Sequence, residues 1–452
     1  MTTDVQQLFD ERLGRYQATI NLEPSDRIPI APPMNYLAEI YSGSNHQQNI
    51  YDPKKLLEAE IAFVKDFPET DALRSNRIWG PMCDVIGLRT YTLPGRELPA
   101  NGQFQFVEAE YMKADEYDAL INNPAEFMME KLIPRLFSEM EKGSNRSHYA
   151  FLKAGLAQGM RNEILRDRNH QLEVRCGIPQ AGWGGFIAPF DVLSDALRGL
   201  KGALMDTYRQ PDKVIEACKV LTPIMARFAL ANADPFRRVP IVVPTHKPCF
   251  LSPKQFDTFY WPSFKSILEI LIGSGYKVRI LLEGDWSRHW HHLLELPKGS
   301  LVCDIDDRSD ILQAKEEIGH HHCLAGGVPN SMFIIGAPSE IEERVKLLCD
   351  KAGRDGGFIM SGACLIPYET KPENYRAMVN AVMKYGWYDK ALKPKPKSFT
   401  PQENVFVPQG YLTSWETKKN ELGGVSGDED LIRIPWETIE QAAFNWLWSW
   451  AW

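Results

Sequence analysis

The residues best able to do chemistry stand at the ends of short apolar runs. Pro240 to Thr245 (PIVVPT) reads as a strand and is followed at once by His246, opening the loop HKPCFLS. A histidine there could ligate a metal or hand a proton to a leaving oxygen, because its charge changes near neutral pH. Val278 to Leu282 (VRILL) is followed by Glu283, Gly284 and Asp285. Side chains alternate along a strand, so the two carboxylates are expected on one side; the simpler reading has Asp285 capping the next helix. Asp304 and Asp306 close SLVCDIDD in the same way, and Cys364 follows the run GGFIMSG and precedes a Pro-containing loop. The denser clusters are expected to be structural. His289, His291 and His292 fall in a segment, Trp286 to Leu296, that should be helical. His320, His321 and His322 precede a strand beginning at Cys323, which places them away from the other candidates, with Cys323 itself in the core.

The elements that must position these residues repeat a pattern of apolar run, Gly/Pro loop and amphipathic stretch, which marks βα units and a parallel sheet. Strands are expected at Pro240 to Thr245, Val278 to Leu282, Ser300 to Ile305, Cys323 to Gly326 and Gly357 to Ser361. Helices are expected at Ser252 to Gly273, with Ser252 as N-cap and Pro253 at its first position, and at Pro338 to Gly353, with Ser339 as N-cap. The first half is less regular: Arg27 to Pro32 reads as a strand, Asp52 to Phe67 as a helix, and Gly182 to Pro189 as a Gly-rich loop before a helix near Asp191. In parallel α/β architectures function concentrates at the C-terminal ends of the strands, where His246, Glu283, Asp306 and Cys364 would stand together.

The whole chain has 452 residues, a net charge of -8 and 44% hydrophobic residues. That length suits one barrel with additions, and the acidic balance gives no general attraction to nucleic acid or anionic lipid. No apolar run approaches membrane-spanning length, and MTTDVQQLFDERLGRYQ lacks the core of a secretory signal, so a cytoplasmic protein is expected. Eight cysteines without regular close spacing read as free thiols, with Cys83, Cys176, Cys218, Cys249, Cys303 and Cys349 as packing residues. The composition changes near Asp389, where KPKPKSFTP suggests a linker, and the chain ends in FNWLWSWAW. This tail, with Trp446, Trp448, Trp450 and Trp452, is expected to pack on the barrel or on a second subunit, as in a homodimer.

Three segments together resemble the uroporphyrinogen decarboxylase superfamily, which includes cobamide-dependent methyltransferases: NLEPSDRIPIAP, GGFIAPFDVLSDALRGLKGALMDTYRQPDKV, and the pair GGVPNSMFIIGAPSEIEERVKLLCDKAG and GGFIMSGACLIPYETKPENYRAMVNAV. The resemblance implies a (β/α)8 TIM barrel over residues 1–388, with N-terminal additions and a Trp-rich C-terminal extension over 389–452. It departs from the decarboxylase itself. The stretch matching that enzyme's arginine-containing, carboxylate-binding motif is APPMNYLAEIYSG, which has no arginine, although Asp84 in GPMCDVIG falls where the family has its central aspartate. Thiol-methylating members carry a His-x-Cys pair and a later Cys that bind zinc. Here Glu283-Gly284-Asp285 replaces the pair and Cys364 holds the later position.

The resemblance then implies a zinc site of Glu283, Asp285 and Cys364, with Asp306 as a fourth group. An oxygen-rich set suits an ether oxygen better than a soft thiol. The expected activity is methyl transfer from a methyl ether, a methoxylated aromatic, to the cobalamin of a separate corrinoid protein, since no corrinoid-binding motif is evident in this chain. His246 would assist the leaving oxygen, and Trp183, Phe186 and Phe190, expected near the mouth, would stack on the ring. Two alternatives remain: a metal-free decarboxylase or lyase using Asp84 and His246 for proton transfer, and a noncatalytic barrel that binds a tetrapyrrole or corrinoid protein.

Overall fold

The computed structural model describes residues 3–34, 37–74, 78–141, 145–388, 392–397 and 413–449. Strands β1 (Tyr91–Thr92) and β2 (Gln105–Phe106) form a small antiparallel ribbon. Strands β3 (Ile241–Pro244), β4 (Val278–Leu282), β5 (Leu301–Ile305), β6 (Cys323–Val328) and β7 (Phe358–Gly362) follow one another in a parallel sheet. Three further runs close it. Met360 N–H donates to Pro29 O (2.9 Å), joining β7 to run 28–34, and Met34 N–H donates to Arg74 O (2.7 Å), joining that run to 71–74. Ala181 N–H donates to Leu73 O (2.8 Å), and Trp183 N–H donates to Pro240 O (2.9 Å), so run 178–186 bridges back to the edge of β3. The result is an eight-membered (β/α)8 barrel. Its strands are apolar nearly throughout because both faces are covered, the outer one by helices such as Trp261–Gly273 and Pro372–Tyr385.

Alternation divides each strand between the barrel interior and the helical shell. Ile280 and Leu282 face outward into the main core, while Arg279 and Leu281 face inward. The lowest interior layer holds Ala31, Ala72, Ala181, Val302, Cys323, Ala325 and Ile359, and the N-terminal helix Thr3–Ile20 plugs it with Phe9, Leu13, Tyr16 and Ile20. Above it the fully buried Arg279 grips Asp304 with two hydrogen bonds of 2.6 and 2.8 Å and also donates to Tyr16 Oη at 3.3 Å. Higher still, Val242, Leu281 and Cys364 pack together.

Several local expectations hold. Ser252 caps its helix and forms a capping box with Gln255, and Asp52 caps Pro53–Asp66. Others shift: Ala337 rather than Ser339 precedes helix Pro338–Leu348, with the Glu340 carboxylate accepting the Ala337 N–H, and only Trp290–Leu293 of the segment after β4 is helical. The tail residues form helix Asp430–Trp448, which packs on helices Pro211–Ala231 and Asn145–Cys176. Phe444, Leu447 and Trp448 are buried there, with the Arg227 guanidinium 4.3 Å over the Phe444 ring and Trp446 edge-on to Phe151 at 5.7 Å. Trp450 and Trp452 lie outside the described residues, as do parts of the expected linker and of APPMNYLAEIYSG. No helix among the described residues is long and apolar enough to cross a membrane.

Candidate active site

Inward alternation along β3 runs from Val242 through Pro244 to His246, which therefore stands at the mouth. Thr245 ties this turn to β4 by donating to Leu281 O at 2.6 Å. Opposite His246, the chain leaves run 178–186 through Pro189 and enters a wide π-helical stretch, Val192–Leu197. The four-residue spacing puts Asp191 and Asp195 on one face of that turn. His246 Nδ1 meets Asp195 Oδ2 at 2.6 Å, Lys247 Nζ meets Asp195 Oδ1 at 2.6 Å, and Tyr260 Oη donates to Asp191 Oδ2 at 2.8 Å. The His246 N–H also donates to Asp191 Oδ2, at 3.4 Å.

The electrostatics follow from burial and these partners. Burial works against charge on His246, but the hydrogen bond and charge of Asp195, reinforced by Glu283 and Asp191, overcome it and hold the ring at about 9. Burial likewise pushes Asp195 upward, and the facing His246 and Lys247 cations more than offset it, so Asp195 stays below the usual carboxylate range. Asp191, fully buried and beside ionised Asp195, is pushed up to about 7. The site thus holds an imidazolium at neutral pH. Because Nδ1 faces a carboxylate, Nε2–H is the proton free to serve the mouth.

The expected metal donors are only partly brought together. Glu283 continues the inward face of β4. Burial raises its pKa, with His246, Asp306 and Arg74 as its charged neighbours. Cys364 is buried near Asp304, Glu283 and Asp306, and these acids and burial keep its thiol protonated; Sγ donates to Asp304 O at 3.6 Å. Asp306 sits at the rim and accepts the Arg308 N–H at 3.0 Å. Asp285 parts from Glu283 because Gly284 adopts φ +81° and turns the strand. It is exposed and accepts the Ser287 N–H at 2.9 Å. Among the described residues no three His, Cys, Asp or Glu side chains converge closely enough to hold a metal ion, so this donor set does not fit zinc as arranged.

The remaining candidates lie elsewhere. Asp84 is exposed on helix Gly80–Ile86 and pairs with Arg96 at 2.7 Å, apart from the His246 cluster. Trp183 does not line the mouth: its N–H pairs at the start of β3, and its side chain packs low in the barrel near Phe9, Leu13 and Val239. Phe186 and Phe190 are fully buried against Phe264 and Tyr260, filling space under the helical shell rather than offering a stacking face. The histidine clusters are structural. His289 stacks on Phe256 at 3.9 Å and burial drops its pKa to about 4, His292 binds Asp257 and Glu295 at 2.9 Å each, and His321 and His322 face the carbonyls of Leu296 and Leu293. Sequence reasoning missed Asp191, Asp195, Lys247, Tyr260 and Arg74. The D-x-x-x-D spacing after a Gly-rich loop was the one available signal for the first pair.

With this geometry in hand, residues 180–385 match the family model described as uroporphyrinogen decarboxylase (URO-D). Over that stretch, a little under half of its length, the chain is similar to the uroporphyrinogen decarboxylase family. A methyltransferase from Methanosarcina mazei is similar in structure, with a TM-score of 0.57 and 18% sequence identity over 82% of this chain and 98% of that one, a likeness that concerns the fold. No curated protein matches the sequence. The matched superfamily segment contains Asp191, Asp195, His246, Glu283 and Cys364, and so carries the mouth cluster almost whole.

Proposed function

We propose that this barrel transfers a methyl group from a methyl ether, a methoxylated aromatic, to a separate corrinoid protein, with His246 as the acid that protonates the leaving oxygen. The observation that carries this reading is the His246–Asp195 pair at the mouth, 2.6 Å apart and charged at neutral pH. An ether oxygen is a poor leaving group. As the methyl C–O bond breaks, its electron pair stays on oxygen, and the Nε2 proton of His246 arrives there to give a neutral alcohol or phenol. Asp195 fixes the ring's tautomer and orientation and stabilises its charge before transfer, and Lys247 in turn steadies Asp195. Cob(I)alamin on the partner would supply the nucleophile that takes the methyl carbon. The fold likeness to a methyltransferase supports the reaction class. Zinc enters no step of this scheme, since Glu283, Asp285, Asp306 and Cys364 do not form a converged set.

The test is single-turnover methyl transfer from methoxylated aromatics to cob(I)alamin, free or on a corrinoid protein, followed by the cobalt absorption bands. His246→Gln should slow transfer most for donors with the most basic leaving oxygens. Equal slowing across all donors would leave His246 a positional role and remove the proposed acid. Decarboxylation through Asp84 and His246 has less support, because Asp84 is exposed and engaged by Arg96.

A further inference from the structure

Arg74 ends the barrel run 71–74, two residues beyond the inward-facing Ala72, and alternation turns it into the upper barrel. Its electrostatic neighbours are the interior groups Arg279, Asp304, Glu283 and Cys364. None of them neutralises it. Asp304 is already taken by both arms of Arg279, at 2.6 and 2.8 Å. Among the described residues, no carboxylate comes within 4.0 Å of the Arg74 guanidinium, and its Nη1 is sealed from solvent with no hydrogen-bond acceptor. Burial lowers its pKa to about 10, which leaves it charged at neutral pH. A buried donor without an acceptor is costly, and more so when charged, so it calls for an explanation in a native fold. The residue as a whole is half-buried, unlike the fully buried Arg279.

We propose that Arg74 is the anchor for an anionic group of the substrate, a carboxylate, held in the upper barrel beside Glu283, the carboxylate that also neighbours His246. The inference rests on the methyl-transfer reading for its reaction but not for its binding chemistry, and it narrows the donor to an acidic methyl ether. A planar carboxylate matches the guanidinium fork, supplies the acceptor that the protein does not, and fixes the far end of a rigid ring so that the ether oxygen is presented to Nε2 of His246. Glu283 beside the same space repels a misplaced anion and so sharpens the position.

The experiment uses the full chain and two readouts. Binding is measured by calorimetry with benzoate and 3-hydroxybenzoate, which carry the carboxylate and no methyl group, and with phenol as the neutral control. Turnover is measured with methoxybenzoates and with methoxybenzenes lacking the acid. Arg74→Gln and Arg74→Lys are compared with wild type after their melting temperatures have been checked. The expected result is that benzoates bind wild type in preference to phenol, that Arg74→Gln weakens benzoate binding by about 10- to 100-fold while leaving phenol within about 3-fold, and that Arg74→Lys recovers part of the loss. Equal binding of benzoate and phenol by wild type, or equal losses for both in Arg74→Gln, overturns the anchor. Benzoate binding that depends on Arg74 without methyl transfer from any donor supports the anchor and removes the methyltransferase reading; transfer only from neutral donors does the reverse.

Discussion

Replacing Asp195 by Asn keeps the shape of the mouth and removes the charge that holds His246 protonated. The ring sits at about 9 beside Asp195, whereas an unperturbed histidine titrates near 6.5, roughly 2.5 units lower. At about 1.36 kcal/mol per unit that difference is roughly 3.4 kcal/mol, but the ring is 36% exposed, and solvent screening trims the usable coupling to about 1–2 kcal/mol. So trimmed, the wild-type ring is about 14–50% charged at pH 8, against roughly 3% in the variant, a difference of about 5- to 16-fold in the acid form. The alkaline limb of the pH–rate profile for methyl transfer from a poor leaving group should therefore move down by about 0.7–1.5 pH units. Stability should move with it. A raised histidine pKa stabilises the fold fully below about 6.5, and that contribution is lost as pH rises through about 9. Asp191, raised to about 7, acts in the same sense over the lower window between its ordinary value and 7. Urea midpoints from pH 6 to 9.5 should fall more steeply for wild type than for Asp195→Asn. A variant whose alkaline limb and stability slope both match wild type would show that Asp195 does not control His246, and the proposed acid would fail.

Other consequences are as direct. Arg279→Leu strands the buried Asp304 without its bidentate partner and should cost about 3–5 kcal/mol in urea unfolding, while the double change with Asp304→Leu should cost less; a single change below about 1 kcal/mol would mean the interior pair is already hydrated. Removing 444–452 deletes Phe444, Leu447 and Trp448 from the core and should lower the melting temperature by several degrees, with an unchanged value showing that the tail helix adds nothing to the barrel. Treatment with a chelator should leave methyl transfer within about 3-fold, because Glu283, Asp306 and Cys364 do not converge; activity lost on chelation, restored by one equivalent of zinc and abolished in Cys364→Ala, would put a metal in the mouth.

The sequence by itself determined the architecture from Pro240 onward. Each strand there is a short apolar run bounded by Gly or Pro, and a parallel strand buried on both faces needs nothing but such a run. It also placed His246, Glu283 and Cys364 at strand ends, since period-two alternation carries the inward face of β3 and β4 directly into the mouth. The bridges of runs 28–34, 71–74 and 178–186 were harder to see: they pair as isolated bridges rather than continuous ladders, and their partners lie up to about 330 residues away in the chain. Tertiary structure decided the rest. Gly284 turned the chain after one more residue and sent Asp285 to solvent, a backbone choice no alternation rule contains. Packing under the helical shell claimed Phe186 and Phe190, because an aromatic residue near a strand end can serve the core as readily as a ligand. The charge state of the site belongs to the fold alone. Asp195 comes from a helix 51 residues before His246, and Arg74 from a run two strands round the barrel from β3, so which carboxylate protonates the histidine and which guanidinium lacks a partner follow from ring closure, not from neighbours in sequence.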